Sequence, residues 1–332
     1  MCIRDSAYDE MFDDPTIRDV YIDGSVLAID GVVFDNMRVK IRGGNFAREN
    51  RNKQGLSFDF APGVDATVPQ LVPHDIDEFA LSAEWGSSFD RTFAAWEVFD
   101  DAGFAPVPAE HVRIQRNGEF YGLFRFTEKL DGTWRSENDI DGEFYKATGR
   151  GFEAPTDFEK NQPDDNDYSN LIALAAGLED PPSSSKTDFM FENFNVPNLV
   201  NYLAAANLVG HFDSEGQNFY VHRDSPTDVW EVHPWDLTNT FGISAAFNGC
   251  SNALALWISC NDNPLWNSVE DTPELEEMVW RRMETLLGTT LANGELEGRF
   301  EAYSALVSDA EIDEDEGMWN DSNWRDLSLI HI

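Results

Sequence analysis

The chain has 332 residues, with 23 Lys and Arg against 62 Asp and Glu, so its formal charge is 23 − 62 = −39. That balance excludes sequence-independent nucleic-acid binding and attraction to an anionic membrane surface, both of which need a cationic face. A 42% hydrophobic and 13% aromatic content is too high for a disordered acidic chain, and the length suits one large domain or two ordinary ones.

No apolar run reaches the roughly 18 residues of a membrane span. The end segments 1–6 and 327–332 resemble terminal hexapeptides that recur on proteins translated from assembled environmental reads. They are expected to be artefacts, with the export signal missing from this fragment. Cys250 and Cys260, close together in a Gly/Asn/Ser-rich stretch, read as a disulfide, which favours an exported protein.

In chain order, Val39 and Ile41 alternate with Arg38, Lys40 and Arg42, giving a half-buried strand that runs into the turn Gly43-Gly44-Asn45. Residues 57–60 alternate again as a second strand. Lys40, Arg42, Arg48, Arg51 and Lys53 cluster between and around the two, a basic patch able to take an anion in an otherwise acidic chain. Phe89, Phe93, Trp96 and Phe99 recur at helical spacing, and Gly103 stops the helix. Val112 and Ile114 lead into the hairpin signal Asn117-Gly118, beyond which Phe120, Phe124 and Phe126 continue to alternate, delivering Glu128 and Asp131 at the far end. A short strand, 144–146, follows.

Residues 151–186 read as a polar connector or surface excursion. Its cluster Asp164, Asp165, Asn166 and Asp167 lacks the glycine and terminal glutamate of an EF-hand loop, so the expected reading is a solvated loop, with Ca²⁺ binding kept as the alternative. Leu199, Val200, Leu203, Ala204, Ala206 and Leu208 form a buried helix that starts after Pro197. Thr272 and Pro273 cap and open another, with Leu275, Met278, Val279, Met283 and Leu286 on one face. The acidic run 309–321 reads as a charged helix or tail.

The chemistry concentrates in His211-Phe-Asp213, Asn218 and Asp236. Asp213 follows the buried helix, at whose carboxyl end a bare carboxylate is disfavoured, so a positive group is expected beside it. A hairpin through Pro226 returns Asp236 to the level of Asn218 and Asp213. Protein kinases use H-x-D-x-x-x-x-N for a catalytic loop and a later Asp for Mg²⁺, and these residues have that spacing, although the bare pattern also fits a cap and a turn residue.

Several blocks together carry a resemblance. Phe120-Tyr-Gly-Leu-Phe-Arg-Phe-Thr-Glu128-Lys-Leu-Asp131, preceded by Arg116-Asn-Gly118, is similar to the "NGxYxGLYxxxExxD" block of the spore coat protein H (CotH) kinase family. Gly142-Glu-Phe-Tyr-Lys146 resembles its "GxLYK" block. The span from Asn201 through Asp213, Asn218, Tyr220 and Trp230 to Trp235-Asp236-Leu-Thr-Asn-Thr-Phe-Gly242 resembles its "D…N.Y…W…WDxDxxFG" signature, and Val39 to Gly44 with Lys53 its "RxRG…K" element.

The resemblance implies an α+β, two-lobed atypical protein-kinase-like fold, with a strand-rich amino-terminal lobe (7–150), the connector (151–186) and a mainly helical catalytic lobe (187–326). Nucleotide and metal are expected in the cleft between the lobes. It makes Asp213 the catalytic Asp, which accepts the acceptor hydroxyl's proton, and Asn218 and Asp236 metal ligands. Lys53 or Lys146 becomes the phosphate-binding lysine, with Glu128 its ion-pair partner or a further ligand, and His211 braces the loop. His233 reads instead as a packed core imidazole. The implied reaction is ATP- and Mg²⁺-dependent transfer to Ser or Thr of a surface or coat protein, outside the cell or on its surface. The family block reads WDxD where this chain has Thr238, which leaves a catalytically impaired surface-binding relative as the alternative, together with a kinase acting on a saccharide or small molecule.

Overall fold

The structure, a computed structural model, describes residues 2–4, 20–42, 53–69, 71–83, 88–180, 182–241 and 263–319. The turn at Gly43-Gly44, the cations Arg48 and Arg51, and the Cys250–Cys260 pair lie outside the described residues. The helices are α1 (Ser88–Asp101), α2 (Gly132–Glu137), α3 (Ser169–Glu179), α4 (Ser184–Asn193), α5 (Val196–Val209), α6 (Pro264–Glu270), α7 (Pro273–Thr289), α8 (Glu295–Ser304) and α9 (Asp309–Trp319). The chain divides into two compact units. The first takes the described residues up to Asp90, Val107–Asn138 and those from Glu301 onward; the second takes Arg91–Pro106 and Asp139–Phe300.

The first unit is a closed barrel. Its strands are β1 (Cys2–Arg4), β2 (Ile22–Ile29), β3 (Val32–Arg42), β4 (Gly55–Asp59), β7 (Glu78–Ser82), β8 (His111–Arg116) and β9 (Glu119–Glu128), in the order β1-β2-β3-β4-β7-β9-β8; β5 (Ala66–Thr67) and β6 (Asp75–Ile76) pair separately. All barrel pairings are antiparallel except β1 with β8. The hairpin expected at Asn117-Gly118 forms, with φ 51° and 89° at the two turn residues. A second hairpin turns at Asp30-Gly31, φ 48° and 85°, the backbone of a type I′ turn that these residue types favour.

A column of phenylalanines fills the barrel. Phe58 and Phe126 each stack on Phe79, with centroids 5.0 and 5.3 Å apart. Each ring, taken fully out of water, contributes about 1.5–3 kcal/mol. The β8–β9 register shifts beside Gly122, so Tyr121, Phe124 and Phe126 face the core while Leu123 faces outward against Val307 and Ile312 around α9. The acidic run is thus a helix with one buried face.

The second unit is built on a four-stranded antiparallel sheet, β11 (Phe158–Gln162), β10 (Gly142–Thr148), β12 (Gln217–Asp224) and β13 (Trp230–Pro234), in the order β11-β10-β12-β13. Helix α5 is buried along most of its length, as its apolar sequence requires, and packs on both β13 and α7. Asn195 caps its start, and Gly210, left-handed at φ 62°, ends it. Helix α7 begins where Thr272 and Pro273 predict, but the Thr272 hydroxyl donates to the Ser268 carbonyl at 2.8 Å instead of capping. Leu275, Val279, Met283 and Leu286 are buried, whereas Met278 is exposed. Strand β11 and helices α3 and α4 occupy the stretch read as a connector. Its acidic cluster already holds a cation: the Lys160 ammonium donates to Asp165 Oδ1 at 2.6 Å and to the Asp167 carbonyl at 2.7 Å. The α+β expectation holds, strand-rich toward the amino terminus and helical beyond.

Candidate active site

The second unit assembles the loop that the sequence singles out. Gly210 turns the chain sharply after α5, and Phe212–Glu215 form one 3-10 turn that presents Asp213. Gly216 closes that turn against the end of β10; a Cβ there would sit 2.4 Å from the Gly149 carbonyl oxygen, a position only glycine can fill. On the far side of the β12–β13 hairpin the chain returns, and the Phe241 N–H donates to the Val209 carbonyl at 2.6 Å, tying the 235–241 loop to the end of α5.

Within this frame Asn218 Nδ2 donates to Asp213 Oδ2 at 3.2 Å, so two of the three predicted groups touch. Asn239 Nδ2 donates to the same oxygen, a contact sequence reasoning misses because Asn239 lies 26 residues away and falls on an unspecified position of the WDxDxxFG block. Asp213 is therefore held by two neutral amides at the carboxyl end of the helix. Asp236 is brought alongside by strand pairing: its neighbour Trp235 donates N–H to the Asn218 carbonyl at 3.1 Å. Thr238, which replaces the family's second acid, donates its hydroxyl to Asp236 Oδ1 at 2.6 Å.

His211 is fully buried, and its Nε2 donates to the Asn218 carbonyl at 3.4 Å, the loop-bracing role expected of it. Burial drives its pKa down, while the carboxylates of Asp213 and Asp236 both pull it up, which places both acids within electrostatic reach of one imidazole. Asn218 and Asp236 adopt left-handed backbone, φ 61° and 46°. For a residue with a Cβ each such conformation costs on the order of 1 kcal/mol, and strain of this kind collects at functional sites.

Lys146 projects from β10 over the rings of Tyr220 and Trp235, 6.0 and 5.8 Å from their centroids, within the same unit as Asp213. Farther along the same hairpin, His222, Glu231 and His233 form a second cluster. Burial, then His222, brings the His233 pKa down to about 4, so that imidazole is neutral at physiological pH, buried as a core side chain would be.

The other candidates lie in the first unit. Lys53 is 2% exposed, and its ammonium donates to both carboxylate oxygens of Asp315 on α9, at 2.9 and 2.8 Å. Asp315, 1% exposed, also accepts from the Leu123 N–H at 2.8 Å. Gly122 makes this possible, since a Cβ on it would lie 2.8 Å from Asp315 Oδ1 and 3.2 Å from Lys53 Cε, at a φ of +145°. Glu128 pairs with His74 rather than serving as the carboxylate on Lys53; burial raises its pKa, and the His74 contact partly offsets this. Lys53 finds its acid on α9 because the shift at Gly122 turns the outer side of β9 toward that helix, whereas Glu128 stands at the strand's end. Asp131 caps α2, accepting from the N–H groups of Thr133 and Trp134 at 2.9 and 3.0 Å. Arg42, at the end of β3, donates to the Ser82 hydroxyl at 3.1 Å.

Comparison with known proteins agrees with the blocks read from the sequence. The chain is 22% identical to the inner spore coat protein H of Bacillus subtilis (strain 168) over 181 residues, a match that spans 50% of each protein, about half the relative's length. Among solved structures, the Helicobacter pylori proinflammatory kinase CtkA aligns over 79% of this chain and 90% of its own, with 11% identity and a TM-score of 0.29. The family model described as CotH kinase protein matches residues 39–327, nearly the whole chain, and the protein belongs to that family.

Proposed function

We propose that this kinase-family chain is an active ATP- and Mg²⁺-dependent phosphotransferase, moving the γ-phosphoryl group to a Ser or Thr hydroxyl of a surface or coat protein outside the cell. The observation that carries the reading is the Asp213–Asn218 contact at 3.2 Å, with Asp236 brought alongside by the Trp235 N–H on the Asn218 carbonyl at 3.1 Å. Both amide donors to Asp213 fall on Oδ2, which leaves Oδ1 to accept the proton of the attacking hydroxyl. The two amides fix the carboxylate's orientation without placing a full positive charge on it.

The Asn218 amide oxygen, the Asp236 carboxylate and the Thr238 hydroxyl are a hard, all-oxygen donor set of the kind Mg²⁺ takes. When bound there, the metal supplies positive charge for the developing phosphate oxyanions. The chain's own contribution is placement: β12 carries Asn218, the hairpin returns Asp236, and His211 fixes the carbonyl of Asn218 between them. In the first unit, Lys53 held by Asp315 has the composition of the lysine–acid pair with which kinases grip nucleotide phosphates. Lys146, over two aromatic faces, is the lysine nearest to Asn218 in sequence pairing and is assigned a supporting electrostatic role.

Labelled-phosphate transfer from γ-labelled ATP onto an extracellular protein fraction tests the reading. Wild type labels Ser or Thr in a Mg²⁺-dependent way, and Asp236→Ala does not; undiminished labelling by Asp236→Ala overturns the assignment. The second reading, a member that binds but scarcely reacts, is favoured by the Thr238 hydroxyl occupying an oxygen of Asp236. Under that reading wild type is silent and Thr238→Asp gains turnover.

A further inference from the structure

The β12–β13 ladder pairs His222 with Glu231 and Tyr220 with His233, and since side chains alternate along a strand, all four stand on one sheet face. Glu231 Oε2 lies 3.6 Å from His222 Nδ1 and 3.9 Å from His233 Nε2, and one donor atom from each of the three residues lies within 4.8 Å of the others. The two imidazoles are buried, with 3% and 9% of their side chains exposed, while Glu231 is 23% exposed and opens the cluster to solvent.

The tautomer of His222 is fixed from outside the cluster. Its Nε2 donates to the Asp141 carbonyl at 2.8 Å, so in the neutral ring the lone pair is on Nδ1, the atom that points at Glu231. That Nδ1 is buried and makes no hydrogen bond. A lone pair directed at a carboxylate is an unfavourable contact, so a positive species, either a proton on Nδ1 or a metal ion, belongs between the two. Glu231 is oriented as well, its other oxygen accepting from Asn195 Nδ2 at 2.5 Å. An imidazole whose second nitrogen donates to a carbonyl, beside a carboxylate held by an amide, is how metal ligands are positioned by their neighbours.

We propose that His222, Glu231 and His233 bind a borderline divalent cation of the zinc type, at a site chemically distinct from the all-oxygen set of Asn218 and Asp236. Two imidazole nitrogens and one carboxylate oxygen suit Zn²⁺ and not Mg²⁺. At metal–ligand distances near 2.0–2.1 Å a tetrahedral site needs donors ~3.3 Å apart, so the cluster closes with movements of about 1.5 Å or less. Solvent at Glu231 supplies the fourth position. Such an ion clamps β12 to β13, the hairpin whose open end carries Asn218 and leads on to Asp236 beside it.

The test is titration of the full chain, stripped of metal by chelator, with Co²⁺ followed by visible absorption and then with Zn²⁺ as competitor, alongside thermal melts with and without Zn²⁺. The expected result is one saturable Co²⁺ site displaced by Zn²⁺, with a Zn²⁺-dependent rise in melting temperature. Glu231→Gln and His222→Asn lose at least about tenfold in affinity, and Asp236→Asn binds as wild type does. Wild type without saturable binding overturns the proposal, as does a site lost in Asp236→Asn and kept in Glu231→Gln. Should His222→Asn fail to fold, Glu231→Gln decides alone, because its side chain is partly exposed and the amide is isosteric. Failure of phosphotransfer in the wild type leaves this outcome unaffected, since the readout is metal binding.

Discussion

Replacing Lys53 with Met separates the structural share of the buried ion pair from its chemistry. Lys53 and Asp315 are 2% and 1% exposed, and the substitution leaves the buried Asp315 carboxylate of α9 with the Leu123 N–H in place of a full positive charge. Breaking a buried pair from one side costs about 3–5 kcal/mol, a large share of the roughly 5–15 kcal/mol stability of an ordinary domain. With a urea m-value of about 3 kcal/mol/M, the midpoint of the first unit falls by roughly 1–2 M. Trp319, whose indole N–H donates to the Tyr121 carbonyl at 3.1 Å, reports this by fluorescence. Lys53→Met combined with Asp315→Leu recovers most of the loss, because an apolar pair of similar volume replaces a desolvated one. The double variant stays unable to transfer phosphate. An unchanged midpoint in the single variant refutes the burial argument, and wild-type turnover in the double variant refutes the phosphate role of Lys53.

Gly122→Ala places a Cβ 2.8 Å from Asp315 Oδ1 at a left-handed φ, so about 1–3 kcal/mol of backbone strain adds to displacement of the ion pair; a melting temperature equal to wild type would contradict this. Asp131 carries a pKa pushed up from 3.8 to about 7 by burial, with Asp77 and Glu78 adding to the effect, so the folded chain keeps this proton to higher pH than the unfolded chain does. Stability must then fall as pH rises from about 4 to about 7, by ~4 kcal/mol at most. Asp131→Asn keeps an acceptor for Thr133 and Trp134 without the charge, so urea melts should show it more stable than wild type at pH 8 and converging with it below pH 4; parallel curves would defeat the argument. Asn239→Ala removes one of two amides on Asp213 and should lower kcat about tenfold, roughly 1.4 kcal/mol, with the KM for ATP little changed.

How much of this was legible depended on whether the determinant was local. The Asn117-Gly118 hairpin and the Pro197 helix are set by neighbouring residues, and the structure has both, the helix starting at Val196 with Pro197 in its first turn. Asp30-Gly31 is an equally local signal that the sequence reading passed over. Asp213 and Asn218 could be placed together because one turn and a strand start separate them. Asp315 could not: Glu311, Asp313, Glu314 and Glu316 surround it, and only packing of Ile312 and Asp315, three residues apart on one helix face, distinguishes the buried acid from the solvated ones. The partner of Glu128 was invisible for the same reason, since His74, just before β6, reaches it across 54 residues of sequence. His222, Glu231 and His233 carry no spacing that marks a metal site in sequence; the cross-strand register creates it.

The account turns on Asp236 and Asn218 sharing a metal beside Asp213. A crystal of the full chain with Mn²⁺ and a non-hydrolysable ATP analogue measures this directly through the anomalous signal of the ion. The account predicts a peak about 2.1–2.2 Å from oxygens of both Asp236 and Asn218, bridging the nucleotide phosphates. Bound nucleotide whose Mn²⁺ touches neither residue would contradict it.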